Sequence, residues 1–419
     1  MSALFGAVLL ATQACWSSTV IDVFPTSTFP DDVIAVQAAV DTLLAGNSDG
    51  IINLHAMDVT GAPAFFDFGL AAEAAGRGSV IALNGGSGSL EFRGISSGRA
   101  LPKIIGGNVP LYVERPQAVV VQGIEFERPY RFAIRVARAS GSVSIEDNVI
   151  RDVDGEIDAV SPMARAITVG PGTVGNVSID GPVIIRGNTI RGASALFTDA
   201  ISLLGIDGPV IVTNNVIEDV NVGVRMADGR RLTLVSGNEI SVFVPGEGLV
   251  AIGVQYSSAW DADGRPLIAT NTIEAVDKLD VGTATGVTLF ACDSLSEGDA
   301  RVRNALVVAN EIALDSAYAG MQLLANESLK GCNDVFAAVS QNRLVSNTLT
   351  GTARYGVALQ GTAATELIQN RLINDMALLT PSAAHYMLDQ ATRDNFVVIR
   401  AGEIVEDLGT GNTILVTTD

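Results

Sequence analysis

One short phrase recurs eight times between residues 143 and 372: a few β-branched or aliphatic residues, an asparagine, one variable residue, then a further aliphatic. It opens as Val143-Ser-Ile-Glu-Asp-Asn148-Val-Ile150 and returns around Asn188, Asn215, Asn238, Asn271, Asn310, Asn347 and Asn370. A repeat of this kind sets a stacked, solenoid architecture before any single residue is considered. The asparagine has a physical reason to recur. Two short strands that meet at a bend need a residue that accepts a left-handed backbone, and asparagine tolerates that conformation better than any residue except glycine. Its amide both donates and accepts, so asparagines of successive coils can stack in a hydrogen-bonded ladder at the strand spacing of about 4.8 Å. These asparagines are therefore read as structural, and none is assigned to catalysis.

A second phrase is interleaved with the first: a small residue, an aliphatic, a variable residue, then usually a larger aliphatic. It runs from Ala133-Ile-Arg-Val136 through Ala166, Ala200, Gly223, Gly253-Val-Gln-Tyr256, Gly286 and Gly320 to Gly356-Val-Ala-Leu359. Period-two alternation makes each a strand with its aliphatics on one face and the variable residue on the other. The spacings from Asn215 to Asn238 and from Asn347 to Asn370 are both 23 residues, about one coil, so longer spacings are a coil plus a loop insertion. Hydrophobic residues make up 48% of the chain but aromatics only 5%, which suits a narrow core of Val, Ile, Leu and Ala.

Residues Asp32 to Leu44 carry apolar positions at helical spacing, and Val119-Val-Val-Gln-Gly-Ile-Glu-Phe126 places a glycine between two buried strands. With the two phrases, these segments resemble the right-handed parallel β-helix of the pectin-lyase-like superfamily, over almost the whole chain. The implied fold is all-β: a single-stranded right-handed parallel β-helix, or solenoid, with an N-terminal capping helix at 31–45 and regular coils with loop insertions over 119–415. The helix would cover apolar core and unpaired strand edges at the open end of the coil. The segment from Asp394 to Leu415 reads as the last coil. Residues 16–419 form one domain with no linker in this reading, although length alone suggests two or three.

The net charge of −20 and the absence of any lysine and arginine run argue against a nucleic-acid partner. Residues 1–15 hold an apolar stretch too short to span a bilayer but suited to a signal-peptide core, although no basic residue precedes it. Cys15 lacks the aliphatic residue usual three positions before a lipoprotein cysteine. The expectation is a secreted, periplasmic or cell-surface protein and not an integral membrane one. Cys292 and Cys332 fall in insertions leaving the same side of adjacent coils, so a disulfide between them is expected in an oxidising compartment. The alternative is two free cysteines.

Chemistry has to lie on the outside of the coil, because the inside is filled. Position three of the second phrase stacks outward as Arg135, Thr168, Ser202, Arg225, Gln255, Thr288, Gln322 and Ala358, with Arg165 and Asp199 just before the small residue of their own coils. In polysaccharide lyases of the superfamily an arginine or lysine abstracts the proton next to a uronate carboxyl, while a second cation or calcium neutralises that carboxyl. The resemblance makes Arg135, Arg165 and Arg225 candidates for base or carboxylate clamp, and Asp199 a candidate to hold calcium or orient an arginine. The plainer reading is a set of exposed salt bridges along a solvated sheet. Gln255, Tyr256, Trp260 and Gln322 are candidate substrate-binding residues, with Tyr130 and Tyr355 placed near the same face. Trp260 alternatively packs on its own coil.

Asp152, Asp154, Glu156 and Asp158 alternate carboxylates around a glycine, and Asp261 and Asp263 have similarly short spacing. Both patterns offer oxygen ligands for Ca²⁺, and both also fit solvated acidic turns. The paired aspartates and the Gly-His-Gly of the glycoside hydrolases with this fold are missing, as is the Asp-Pro-His of the alginate epimerases. The two histidines, His55 and His385, lie outside the repeat coils. Two function classes remain: a secreted protein of lyase or epimerase type working on an acidic polysaccharide, or a non-catalytic adhesion or structural β-helix.

Overall fold

The computed structural model describes residues 18–46, 49–70, 76–83, 88–153, 164–171, 179–192, 198–227, 231–244, 250–258, 265–277, 284–291, 300–325, 337–361 and 365–418. Among them the chain winds as a parallel β-helix whose coils place strands on three faces. On the first face, Phe132–Ala137 pairs with Ala164–Gly170, followed by Thr198–Leu204, Val222–Ala227, Ala251–Ser258 and Ala284–Ala291, all parallel. The second stacks Val143–Glu146, Val183–Arg186, Val210–Thr213, Thr233–Ser236 and Pro266–Ala269. The third stacks Val149–Val153, Thr189–Gly192, Val216–Val220, Glu239–Phe243 and Thr272–Val276. Each strand alternates, so Val143, Ile145 and Ile150 point inward and are fully buried. One hydrophobic cluster then runs the length of the coil, from Val23 to Ile399.

The asparagines form the expected ladder at the bend between the second and third faces. The Asn188 side-chain amide donates to Oδ1 of Asn215 (3.0 Å), Asn215 to Asn238 (3.0 Å), Asn238 to Asn271 (2.8 Å), Asn271 to Asn310 (2.9 Å) and Asn310 to Asn347 (2.8 Å). Each also donates to a backbone carbonyl one coil earlier, as Asn215 does to Ile185 (3.0 Å). The left-handed residue, however, is the one before the asparagine: Asp147, Gly187, Asn214, Gly237, Thr270, Ala309, Ser346 and Gln369 all have positive φ. The asparagine is selected for the ladder and its predecessor for the turn.

Asn370 belongs to a different ladder. Asn347 donates to Asn374 (2.9 Å), while Asn370 accepts from Asn342 (3.0 Å) and donates to Asn395 (3.0 Å). The 23-residue spacing from Asn347 to Asn370 is therefore not one coil. The physical cause is a fourth strand per coil near the C-terminus, where Ala300–Arg303, Ala337–Ser340, Glu366–Ile368 and Thr392–Arg393 form a separate parallel sheet. It presents a second asparagine bend.

The N-terminal helix spans Asp31–Ala45 as expected and buries Val36, Ala39, Val40 and Leu43 at the start of the core. Asp32, fully buried, ties it down. Its carboxylate accepts from the backbone N–H of Thr26 (2.6 Å), Thr28 (3.1 Å) and Asp67 (2.8 Å) and from the Thr26 hydroxyl (2.9 Å). Close approach explains the small residue that opens the second phrase. A Cβ on Gly253 would sit 2.5 Å from both the Gly286 carbonyl oxygen and the Ile273 side chain, and Gly223 and Gly286 are as crowded.

Candidate functional site

The first face carries the outward residues in the register that the second phrase implies. Arg135 pairs with Thr168, Thr168 with Ser202, Ser202 with Arg225, Arg225 with Gln255, Gln255 with Thr288, Thr288 with Gln322 and Gln322 with Ala358. A second column runs from Phe132 to Arg165 to Asp199 to Val222. Arg135, Arg165, Asp199 and Arg225 thus come together on four neighbouring coils, because 4.8 Å stacking turns equivalent sequence positions into spatial neighbours.

Their arrangement is not that of exposed salt bridges. Asp199 is fully buried, with Oδ2 3.5 Å from Arg165 Nε and Oδ1 3.4 Å from Arg225 Nη2. Thr168 and Ser202, which point outward, are 7% and 0% exposed. Among the described residues, Asp199 meets these two guanidinium groups at ion-pair distance without a hydrogen bond to either carboxylate oxygen, and the hydroxyls of Thr168, Ser202 and Thr288 have no hydrogen-bond partner. A buried polar group left so costs about 1–3 kcal/mol, which makes the strip a set of acceptors and donors in search of polar partners.

Charge follows from the same packing. Burial pushes the Arg165 guanidinium below its ordinary value; Asp199 opposes that shift, and Arg225 and Arg135 add to it. Two guanidinium groups flank one carboxylate, so Asp199 is set to orient arginines, and a calcium ion beside it would meet cations from both sides. Arg135 lies 5.2 Å from the centroids of both Tyr112 and Phe132, a cation–π arrangement that holds it over the face. Tyr112 occupies the Arg135 column one coil earlier and donates to Glu114 Oε2 (2.8 Å), and Glu114 in turn meets Arg138 at 3.3 Å. Sequence reasoning missed this Tyr112, Glu114 and Arg138 group, since the coil at Val109–Glu114 carries neither phrase.

Further along the face, Gln255 is half-buried, and Gln322 donates to Gln360 Oε1 (2.6 Å). Tyr256 is a correction. It is 2% exposed and packed in the core, because it fills the inward fourth position of its phrase and cannot meet a substrate. The face ends in a small apolar cluster of Ala319, Tyr355, Ala358, Ala384 and Met387, not in a smooth polar strip. Tyr130 is also buried, with the Arg77 guanidinium 3.6 Å from its ring centroid.

Trp260, Asp261, Asp263, Asp154, Glu156, Asp158, Cys292, Cys332 and the segment 1–15 lie outside the described residues. Asp152 is described and exposed, with positive φ. Among the described residues no group of three or more His, Cys, Asp and Glu side chains is placed to hold a metal ion. His55 meets Asp22 (2.8 Å) and stacks on Phe24, while His385, on the first-face strand at Arg371–Leu388, has its Nδ1 accepting from the Ile404 backbone N–H (3.1 Å). No described helix is long and apolar enough to cross a membrane.

No protein-family model matches the chain, and no curated protein matches it. Among solved structures it is similar to a mutant tailspike protein of E. coli bacteriophage HK620 in complex with a hexasaccharide. The identity is 10%, the likeness covers 93% of this chain and 75% of that chain, and the TM-score is 0.49.

Proposed function

We propose that the protein is a secreted β-helix protein that holds an acidic polysaccharide along its first face, with lyase-like chemistry at the arginine cluster. The observation that carries this reading is the buried Asp199 between Arg165 and Arg225, in line with the partnerless hydroxyls of Thr168 and Ser202. Arginines match a uronate carboxylate in charge and fork geometry, and buried hydroxyls match the ring hydroxyls of a sugar.

The chemistry assigned is β-elimination. The proton next to the uronate carboxyl passes to a base, its electron pair forms a carbon–carbon double bond, and the glycosidic carbon–oxygen bond breaks. The departing oxygen takes up a proton. Arg165 is the candidate base because Asp199 lies against its Nε and burial lowers its guanidinium, and Arg135 and Arg225 are the candidate carboxylate clamp. Gln255 and Gln322 extend the binding strip. Incubation with pectate, alginate and glycosaminoglycans should give the ultraviolet absorbance of unsaturated uronate on one of them. Binding without absorbance on every polymer would replace the lyase by a non-catalytic binding protein.

Secretion is supported by the apolar leader and by the two cysteines. The insertions that carry Cys292 and Cys332 leave the first face from Ala291 and Ala325, which are paired in register. The proposed disulfide predicts that these cysteines resist alkylation until the protein is reduced. Quantitative alkylation of both in the unreduced, denatured protein is the opposite result.

A further inference from the structure

A recess lies away from the arginine cluster, on the third face near the N-terminal end. It has a volume of about 740 Å³, within the range of small-molecule sites. Its floor is the outward side of four stacked strands, in which Lys103 pairs with Glu125, Glu125 with Val149 and Val149 with Thr189, and Arg151 pairs with Arg191. Its wall comes from two loops that replace the asparagine bend in the early coils. These supply Pro63, Ala64, Phe65 and Leu101.

Both wall loops are held by their own hydrogen bonds. In the first, Asp58 Oδ1 accepts from the backbone of Thr60 (2.8 Å) and Ala62 (2.9 Å) and from the Thr60 hydroxyl (2.6 Å). In the second, Ser97 and Ala100 exchange backbone bonds of 3.0 Å in both directions. The recess is therefore formed before anything enters it, which lowers the ordering cost of binding.

Its charges are arranged unevenly. Lys103 is bound by Glu125 (3.1 Å) and Glu127 (2.9 Å), Arg151 by Glu125, and Arg191 by Glu218 (2.5 Å). Arg99, at the rim, has no partner among the described residues. The lining thus holds four cations, Arg99, Lys103, Arg151 and Arg191, and one carboxylate, Glu125, in a chain whose net charge is −20. Apart from Glu125 and Thr189, the lining side chains offer no acceptor for sugar hydroxyls, and the wall loops present apolar surface.

We infer that this recess is a binding site for a small organic anion with an apolar body, which packs that body on Pro63, Phe65 and Leu101 and places its carboxylate or sulfonate on Arg99. The site is separate from the polysaccharide face. The two differ in chemistry: hydroxyls and arginines there, an apolar wall and a cationic rim here.

The test uses the whole protein and 2-naphthoate as probe in a calorimetric titration, with 2-naphthalenemethanol as its neutral counterpart. The expected result is one saturable naphthoate site, with the alcohol at least about tenfold weaker. Arg99→Glu should weaken naphthoate by at least about tenfold, while Arg393→Ala, exposed on the C-terminal coils and outside both sites, leaves it unchanged. Arg99 is exposed and outside the core, so its replacement leaves the coil intact, which circular dichroism checks. Absence of naphthoate binding, equal binding of acid and alcohol, or binding indifferent to Arg99→Glu would each overturn the assignment. Uronate oligomers that bind where naphthoate does not, and are lost with Arg99→Glu, would overturn the assigned chemistry.

Discussion

Replacing Asn215 with alanine is expected to destabilise the coil by about 3–5 kcal/mol, among the largest effects of a single substitution. Asn215 is fully buried, and its side chain makes four hydrogen bonds of 3.0 Å. It accepts from the backbone N–H and the amide of Asn188, and donates to Asn238 Oδ1 and the Ile185 carbonyl. Alanine removes all four, and the Asn188 N–H and the Ile185 carbonyl keep no side-chain partner in a site closed to water. Each such orphan costs about 1–3 kcal/mol, and the lost amide volume adds a cavity term. The neighbouring Asn214 provides the contrast. It has positive φ and is exposed, so glycine serves there equally well and Asn214→Gly should change stability by about 0.5 kcal/mol or less. Urea unfolding followed by circular dichroism measures both. Local hydrogen exchange across the coils from Asn188 to Asn238 then separates a local opening from a loss spread along the solenoid. A small shift for Asn215→Ala would mean that the ladder contributes little.

The second large effect is expected at Asp199. Asp199→Ala removes the carboxylate from between Arg165 and Arg225, whose side chains are only 21% and 24% exposed. Breaking a buried pair is strongly destabilising, and here the Arg165 guanidinium would lose its carboxylate, so a loss of about 3 kcal/mol is expected. The loss should persist in high salt, because a buried pair is screened far less than a surface one. The double variant Asp199→Ala, Arg165→Ala should recover part of it, giving a coupling of about 1–3 kcal/mol in a double-mutant cycle. Additive effects, or a loss erased by salt, would return these residues to ordinary surface ion pairs. On any polymer that the protein cleaves, Asp199→Asn should lower kcat by about 100-fold with a smaller change in KM, since it disturbs the orientation of the arginines more than it removes contact area.

Much of this geometry was legible in the sequence, and the reason is stacking. In a solenoid, equivalent positions of successive repeats become neighbours, so aligning the second phrase placed Arg135, Thr168, Ser202, Arg225, Gln255, Thr288 and Gln322 in the register the coil has. The capping helix was legible from its apolar spacing, and its bounds, Asp31–Ala45, agree. Tyr256 was misread only because its chemistry suggested sugar stacking, while its place in the alternation already put it inside.

Other features depend on contacts that no single repeat encodes. Which of two adjacent residues takes the left-handed turn is decided by the ladder, which claims the asparagine and leaves the turn to Asp147, Thr270 or Ser346. The second ladder through Asn342, Asn370 and Asn395 arises from a change in the coil's cross-section near residue 300, which the phrase does not register. Burial of Thr168 and Ser202 on an outward face is a property of the assembled surface, not of the alternation. The cationic recess is built by loops around residues 56–65 and 96–102, in coils that lack the phrase altogether.

The polysaccharide reading meets its sharpest measurement in a calorimetric titration that compares an acidic oligosaccharide with its carboxyl-reduced counterpart, using the wild-type protein and Arg135→Ala. Arg135 is suited to this because it belongs to the cluster and lies over the face against Tyr112 and Phe132, and circular dichroism checks that Arg135→Ala keeps the fold. The expected result is binding of one uronate series, at least about tenfold weaker binding of the reduced, neutral chain, and a comparable loss in Arg135→Ala. Equal affinity for charged and neutral chains, or an Arg135→Ala variant that binds as the wild type does, would contradict it.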